Sequence, residues 1–132
     1  MHMRSGVAVA LFALLVSGTR MAAHHSAAAE YDESKTVTVT GKVSAVEWEN
    51  PHVRFTVDAA GPGNQVTSWT FELASPNSLT RAGWGRRTVK VGDVLTVTGS
   101  PARSGKPLGV TKSVRTPDGK KLFTGTMGIE DK

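Results

Sequence analysis

The chain of 132 residues contains no cysteine. Disulfide bridges and thiolate chemistry are therefore excluded, and the stability of the fold must come from a packed core. The sequence also lacks a catalytic signature. No glycine-rich phosphate loop or dinucleotide fingerprint occurs, and no serine stands in a recognisable motif with a histidine and an acid. We therefore expect that the protein is not an enzyme.

A long run of one charge is missing as well. The 16 basic and 11 acidic residues are interspersed along the chain. A protein that neutralises a row of phosphates needs a basic stripe, which this pattern does not provide. We therefore expect no nucleic-acid partner.

An apolar run long enough to span a bilayer is also absent. The longest one, Val7–Val16, has ten residues, whereas a transmembrane helix needs about 20. A short basic start precedes this run, and small residues at Met21–Ala23 follow it. This order is typical of a signal peptide, here over residues 1–23. We therefore expect a periplasmic or secreted protein with no transmembrane segment after processing; the alternative is an uncleaved interfacial anchor.

Residues 24–35 show no regular spacing of apolar residues and are interpreted as an N-terminal arm. From Thr36 apolar and polar residues alternate as in β-strands. The first run, Thr36–Trp48, contains Gly41, and its apolar phase slips after Val43, which predicts a bulge or bend. The β-domain is predicted over residues 36–125, with a tail at 126–132. The further predicted strands lie at His52–Ala59, Val66–Leu73, Val94–Gly99, Gly105–Thr116 and Lys121–Gly125.

A short helix is predicted after the third strand. Ser75 suits the N-cap, Pro76 suits the first helical position, and Gly83 suits the left-handed residue that ends a helix. Three strands, a short helix and two or three further strands predict an all-β fold, a small OB-fold-like Greek-key barrel of five to six strands. A β-sandwich is the alternative, because strand spacing alone does not distinguish the two.

Three histidines follow the predicted signal peptide, namely His24, His25 and His52. Imidazole is a common ligand of zinc and copper. If cleavage follows Ala23, the α-amine and ring of His24 can chelate a metal ion, and another histidine can complete the T-shaped or square-planar site that Cu(II) prefers. The alternative is that the first two simply begin a soluble chain and that His52 hydrogen-bonds within a turn. The carboxylates that could add an oxygen ligand are Glu30, Asp32 and Glu49.

The segment Trp48–His52 contains an Asn-Pro pair, which favours an extended or turn conformation. Its two ends therefore flank a bend between strands, which is either a binding corner or a structural corner around a buried tryptophan. On the third strand Glu72 alternates outward, where it could pair with Arg81 of the helix. Such an exposed ion pair contributes only about 0–1 kcal/mol.

Short segments with a specific joint spacing run through the chain at Ala23–Ser26, Glu30–Asp32, Val46–His52, Trp69–Leu73, Ser75–Leu79, Gly83–Trp84, Gly92–Gly99 and Pro117–Phe123. Taken together they resemble a widespread family of exported bacterial proteins of unknown function. Ala27 departs from the family, which usually has an aromatic residue there, and this change would loosen the packing of the arm. The resemblance implies export and a single small β-domain, but no established activity.

These observations lead to a hypothesis about function. We expect an exported, non-catalytic binding module that takes a transition-metal ion, copper in particular, through His24, His25 and His52. The alternative is a metal-free protein-interaction or envelope-accessory domain. It would bind an envelope protein through an exposed barrel face or through the Trp48–His52 corner.

Overall fold

The computed structural model describes residues 29–124, so that the predicted signal peptide, His24, His25 and the predicted tail lie outside it. Within the described part, helix α1 (Pro76–Arg81) lies between the third and fourth strands, and a 3-10 turn at Pro62–Asn64 joins the second and third. The strands are β1 (Val37–Glu47), β2 (Arg54–Ala60), β3 (Val66–Glu72), β4 (Val94–Pro101), β5 (Leu108–Arg115) and β6 (Lys121–Thr124).

The six strands form one sheet in the order β3-β2-β1-β4-β5-β6. An additional parallel pairing between β3 and β5 closes the first five strands into a barrel, whereas every other pairing is antiparallel. This closure, with α1 between β3 and β4, is the arrangement of an OB-fold. The predicted barrel is therefore confirmed, and the β-sandwich alternative is wrong.

β1 is bent, and this bend lets the sheet close. Its first half pairs with β4 and its second half with β2, and the register shifts between Val43 and Ala45. A Cβ atom on Gly41 would lie 2.1 Å from the carbonyl oxygen of Asp58, so that only glycine permits this close approach of the two backbones. The predicted bulge in the first strand is therefore confirmed.

The core fills the barrel with the inward-facing side chains of its strands. Phe55 of β2 and Phe71 of β3 are both buried, with ring centroids 6.1 Å apart. Leu79, the buried residue of α1, belongs to the same cluster. The helix begins as predicted, because the Ser75 hydroxyl accepts a hydrogen bond from the backbone N–H of Ser78 at 3.3 Å. Within residues 29–124 no helix is long and apolar enough to cross a membrane.

Candidate functional site

The N-terminal arm is docked on the barrel at its described end. Tyr31 forms an isolated antiparallel bridge with Ala102, just beyond β4, and only 5% of Tyr31 is exposed. The backbone N–H of Asp32 donates to the carbonyl of Pro101 at 2.9 Å. Tyr31 is therefore a packed part of the domain, although it precedes the first strand by six residues.

Glu72, the last residue of β3, lies in a row of residues that crosses the outer surface of the barrel. Arg54 of β2 stands opposite Glu47 of β1 on one side and opposite Glu72 on the other. Val110 of β5 stands beside Glu72 in the parallel pairing. Opposed residues share a face of the sheet, so the row carries alternating charges across β1, β2 and β3. The Arg54 Nε donates to the Glu47 Oε2 at 3.1 Å.

One carboxylate joins the arm to the barrel histidine. The Tyr31 hydroxyl donates to the Glu72 Oε2 at 2.9 Å. The other oxygen, Oε1, hydrogen-bonds to the Nδ1 of His52. The His52 and Glu72 side chains retain 22% and 21% exposure. The three residues, which are far apart in the sequence, therefore form a single half-buried cluster on the outer surface.

Burial and charge determine which groups of this cluster carry the hydrogen-bonding protons. Burial, followed by the negative charge of Glu72, raises the pKa of the Tyr31 phenol well above its ordinary value. The phenol therefore remains a donor to the carboxylate. A hydrogen bond from His52 Nδ1–H to Glu72 assigns the proton of a neutral imidazole to Nδ1, which leaves the lone pair on Nε2.

Two interpretations of the sequence change here. His52 bonds to the end of β3 across the barrel surface rather than within its own turn. The expected pairing of Glu72 with Arg81 is wrong. Glu72 bonds to His52 and Tyr31, whereas the Arg81 Nη2 donates to the hydroxyl of Ser78 at 3.2 Å.

Tyr31 and Glu72 were not among the residues that the sequence assigned to a site. Both lie in segments that carry the family resemblance, Glu30–Asp32 and Trp69–Leu73, and Tyr31 is the single tyrosine of the chain. Their position in those segments and the single occurrence of tyrosine were the sequence features that could have pointed to these residues. The alternation of β3 correctly pointed Glu72 outward, but it gave no sign that the arm would cover this part of the surface.

The carboxylates proposed as additional oxygen ligands do not gather around His52. Asp32 accepts hydrogen bonds from the Ser34 hydroxyl at 2.6 Å and from its N–H at 3.1 Å. The hydroxyl bond is the main reason that the pKa of Asp32 is lowered. Glu30 and Glu49 are exposed. Among residues 29–124 no three histidine, cysteine or acidic side chains stand close enough to hold a metal ion. A metal site at His52 therefore requires ligands from outside that range.

An open groove of about 280 Å³ lies on the same outer surface. Arg54 and Glu47 line one part of it, and the hydroxyls of Thr56 and Thr70, 3.1 Å apart, line another. Its other lining residues are Ala45, Phe55 and Leu108. The groove therefore combines charged, hydroxyl and apolar groups and shares Arg54 with the row that contains Glu72.

The fold and the cluster together define the class of protein. It is a small OB-fold-like barrel in which a carboxylate binds a histidine beside the N-terminal arm. The chain belongs to DUF6152, a family of unknown function, whose profile matches residues 12–112. This match confirms that the resemblance is to an uncharacterised family. No curated protein matches the chain.

Solved structures similar to this chain include two crystal forms of Rim1, a mitochondrial single-stranded DNA binding protein from S. cerevisiae. One form has 11% sequence identity and a TM-score of 0.48, and the other has 14% and 0.46. Each similarity covers 69% of this chain and 96% of the Rim1 chain. Our expectation that this chain has no nucleic-acid partner stays a prediction.

Proposed function

We propose that the protein is an exported, non-catalytic binding module, periplasmic or secreted, that takes a transition-metal ion, copper in particular. His52 and the N-terminal histidines, His24 and His25, would supply the ligands. The observation that carries this proposal is the bond between His52 Nδ1 and Glu72. Histidines that bind metals almost always donate their other ring N–H to a carboxylate, a carbonyl or water, which fixes the ring and raises its basicity.

The docking of Tyr31 supports the participation of the arm. Tyr31 is attached to the same carboxylate that holds His52. His25 precedes Tyr31 by six residues, a length of chain that spans at most about 20 Å. The N-terminal histidines are therefore tied to a point beside His52. If the signal peptide is cleaved after Ala23, the α-amine of His24 adds a further nitrogen, as Cu(II) favours.

The remaining residues of the cluster would position the ligands rather than bind the metal. Glu72 uses one oxygen to orient His52 and the other to accept the Tyr31 hydroxyl. Tyr31 keeps its proton because burial and the Glu72 charge raise its pKa. When bound, copper would supply a Lewis-acidic and redox-active centre, and the protein residues described here would hold it at the surface.

The test is a Cu(II) titration of the exported protein, with intact-mass analysis to establish where the signal peptide is cleaved. We expect near-stoichiometric binding that falls sharply in His24→Ala and His52→Ala. Glu72→Gln should weaken binding about 10- to 100-fold, as expected for loss of an outer-shell partner. Glu47→Gln is the matched control, because Glu47 lies in the same row without contacting His52, and its affinity should be unchanged. Equal affinities of wild type, His24→Ala and His52→Ala would refute the proposal.

The second candidate is a metal-free protein-interaction or envelope-accessory domain. The observation that favours it is the open groove beside Arg54, which offers charged and apolar groups to a partner. Metal content distinguishes the two candidates. Protein purified from the periplasm without chelators should carry copper under the first and no transition metal under the second.

A further inference from the structure

A basic segment links α1 to β4. Between Glu72 and Asp93 the sequence has no acidic residue, whereas its four basic residues are Arg81, Arg86, Arg87 and Lys90. Arg86 and Arg87 are exposed, and their side chains have no ion-pair partner among the residues that the structure describes. The two guanidinium groups are therefore available to an external anion.

Exposed apolar side chains lie at the end of the same segment. Val91 is 66% exposed and Val94 is 44% exposed. They are two of the three large apolar residues that are exposed within residues 29–124, the third being Val66 at the start of β3. Lys42, also exposed, stands opposite Val94 in the β1–β4 pairing.

The segment holds these groups on an ordered support. Val89 is buried with 4% exposure and anchors the middle of the segment in the core. The backbone N–H of Gly92 donates to the carbonyl of Val43 at 2.8 Å, and the Val43 N–H donates to the carbonyl of Asp93 at the same distance. Asp93 accepts a hydrogen bond from the backbone N–H of Lys90 at 2.9 Å, and its other carboxylate oxygen pairs with the Lys90 Nζ at 3.7 Å. The charge of Lys90 is therefore already partly neutralised within the turn. The valines are therefore presented by a turn bonded to β1.

We propose that this basic–valine surface, formed by Lys42, Arg86, Arg87, Val91 and Val94, binds the surface of an anionic lipid bilayer. Basic side chains near such a membrane are attracted by its negative surface potential, and adjacent aliphatic groups enter the boundary between headgroups and acyl chains. A purely acidic polypeptide such as polyglutamate would pair with the arginines but would offer the valines no apolar contact. A bilayer satisfies both kinds of group, which is why we assign the surface to lipid.

The experiment is co-sedimentation of the full processed protein with vesicles of phosphatidylglycerol and phosphatidylcholine in equal parts. We expect binding that weakens with rising salt, and no binding to phosphatidylcholine alone. Each basic residue near the surface contributes about a factor of five to the partition coefficient, so Arg86→Gln with Arg87→Gln should lower it about 30-fold. Val91→Ser should lower it about fivefold through the loss of apolar contact with lipid.

Two matched variants serve as controls. Lys120→Gln with Lys121→Gln removes the same charge from exposed positions where the β5–β6 connection enters β6, and Val66→Ser removes a similarly exposed valine. Both should retain wild-type binding, and all variants should keep the wild-type unfolding midpoint because the altered side chains are exposed. Three results would overturn the proposal. The first is no binding to anionic vesicles, and the second is a loss of vesicle binding in the lysine control equal to that in the arginine variant. The third is unchanged vesicle binding by Val91→Ser together with full competition by polyglutamate, a result that would indicate an acidic polypeptide partner.

Discussion

The bond between Tyr31 and Glu72 gives the most direct test of the cluster. Tyr31→Phe removes the hydroxyl that donates to the Glu72 Oε2 at 2.9 Å and leaves the buried ring in place. Glu72→Gln removes the charge and keeps the shape of the side chain. If the two residues act through this bond, the combined variant should lose less stability than the sum of the two single variants.

The structure sets the expected magnitude. A hydrogen bond to a charged group contributes about 1.5–3 kcal/mol to stability. Tyr31 is buried, but the Glu72 side chain keeps 21% exposure, so water screens part of the interaction. We therefore take the lower end, about 1.5 kcal/mol for Tyr31→Phe, and a coupling energy of about 1 kcal/mol with Glu72→Gln.

Urea unfolding of the processed wild-type protein and the three variants measures these values. With a slope of about 1.5 kcal/mol per molar urea, the midpoint of Tyr31→Phe should fall by about 1 M. Thr38→Val is the control, because its hydroxyl forms an exposed, neutral contact with Thr98 at 3.3 Å, and it should cost less than about 0.5 kcal/mol. Additive losses in the combined variant would show that Tyr31 and Glu72 do not interact.

Three further predictions concern single positions. The pKa of Tyr31 is raised on folding, so its contribution to stability should be complete below about pH 10, the ordinary tyrosine pKa, and should be lost as the pH rises further. Tyr31→Phe should not show this loss of stability. Tyrosinate absorbance should appear at higher pH in the native protein than in the unfolded protein. Gly41→Ala should cost about 3 kcal/mol, since its Cβ would meet the Asp58 carbonyl oxygen at 2.1 Å, whereas Gly85→Ala, which opens onto free space, should fold normally in thermal unfolding. Ser75→Ala should lower the unfolding free energy by about 1 kcal/mol through loss of the N-cap, and an unchanged midpoint would contradict that role.

Much of the barrel could be predicted because its signals are local. The phase slip after Val43 and the glycine at position 41 indicated the bend of β1, and Ser75 indicated the start of α1. The closure of the barrel is different. The parallel pairing of β3 with β5 joins residues about 38 positions apart, such as Thr70 and Leu108. The alternation of apolar and polar residues does not specify which strands pair with each other. For this reason the sequence alone did not exclude a β-sandwich.

The candidate site was predicted only in part, for the same physical reason. His52 was recognised by its chemistry, and the alternation of β3 correctly turned Glu72 outward. The partner of Glu72 was predicted wrongly because Arg81 is close in sequence, while Tyr31 and His52 reach the carboxylate only through the docking of the arm and the β2–β3 pairing. A residue that faces outward on a strand can still be covered by a segment from elsewhere in the chain.

The docked arm leads to a last prediction about copper. While Tyr31 is bound, seven residues separate His24 from its attachment point (31 − 24 = 7), whereas an undocked arm is tied only at Val37, the start of β1, thirteen residues away (37 − 24 = 13). Nearly doubling the loop costs about 0.6 kcal/mol, or about threefold in affinity. In Cu(II) titrations Tyr31→Phe should therefore weaken binding by up to about threefold, far less than Glu72→Gln. A loss of tenfold or more would mean that Tyr31 contacts the metal. No loss would mean that the Tyr31 hydroxyl is not needed to hold the arm, whose backbone also bonds to Pro101 and Arg103.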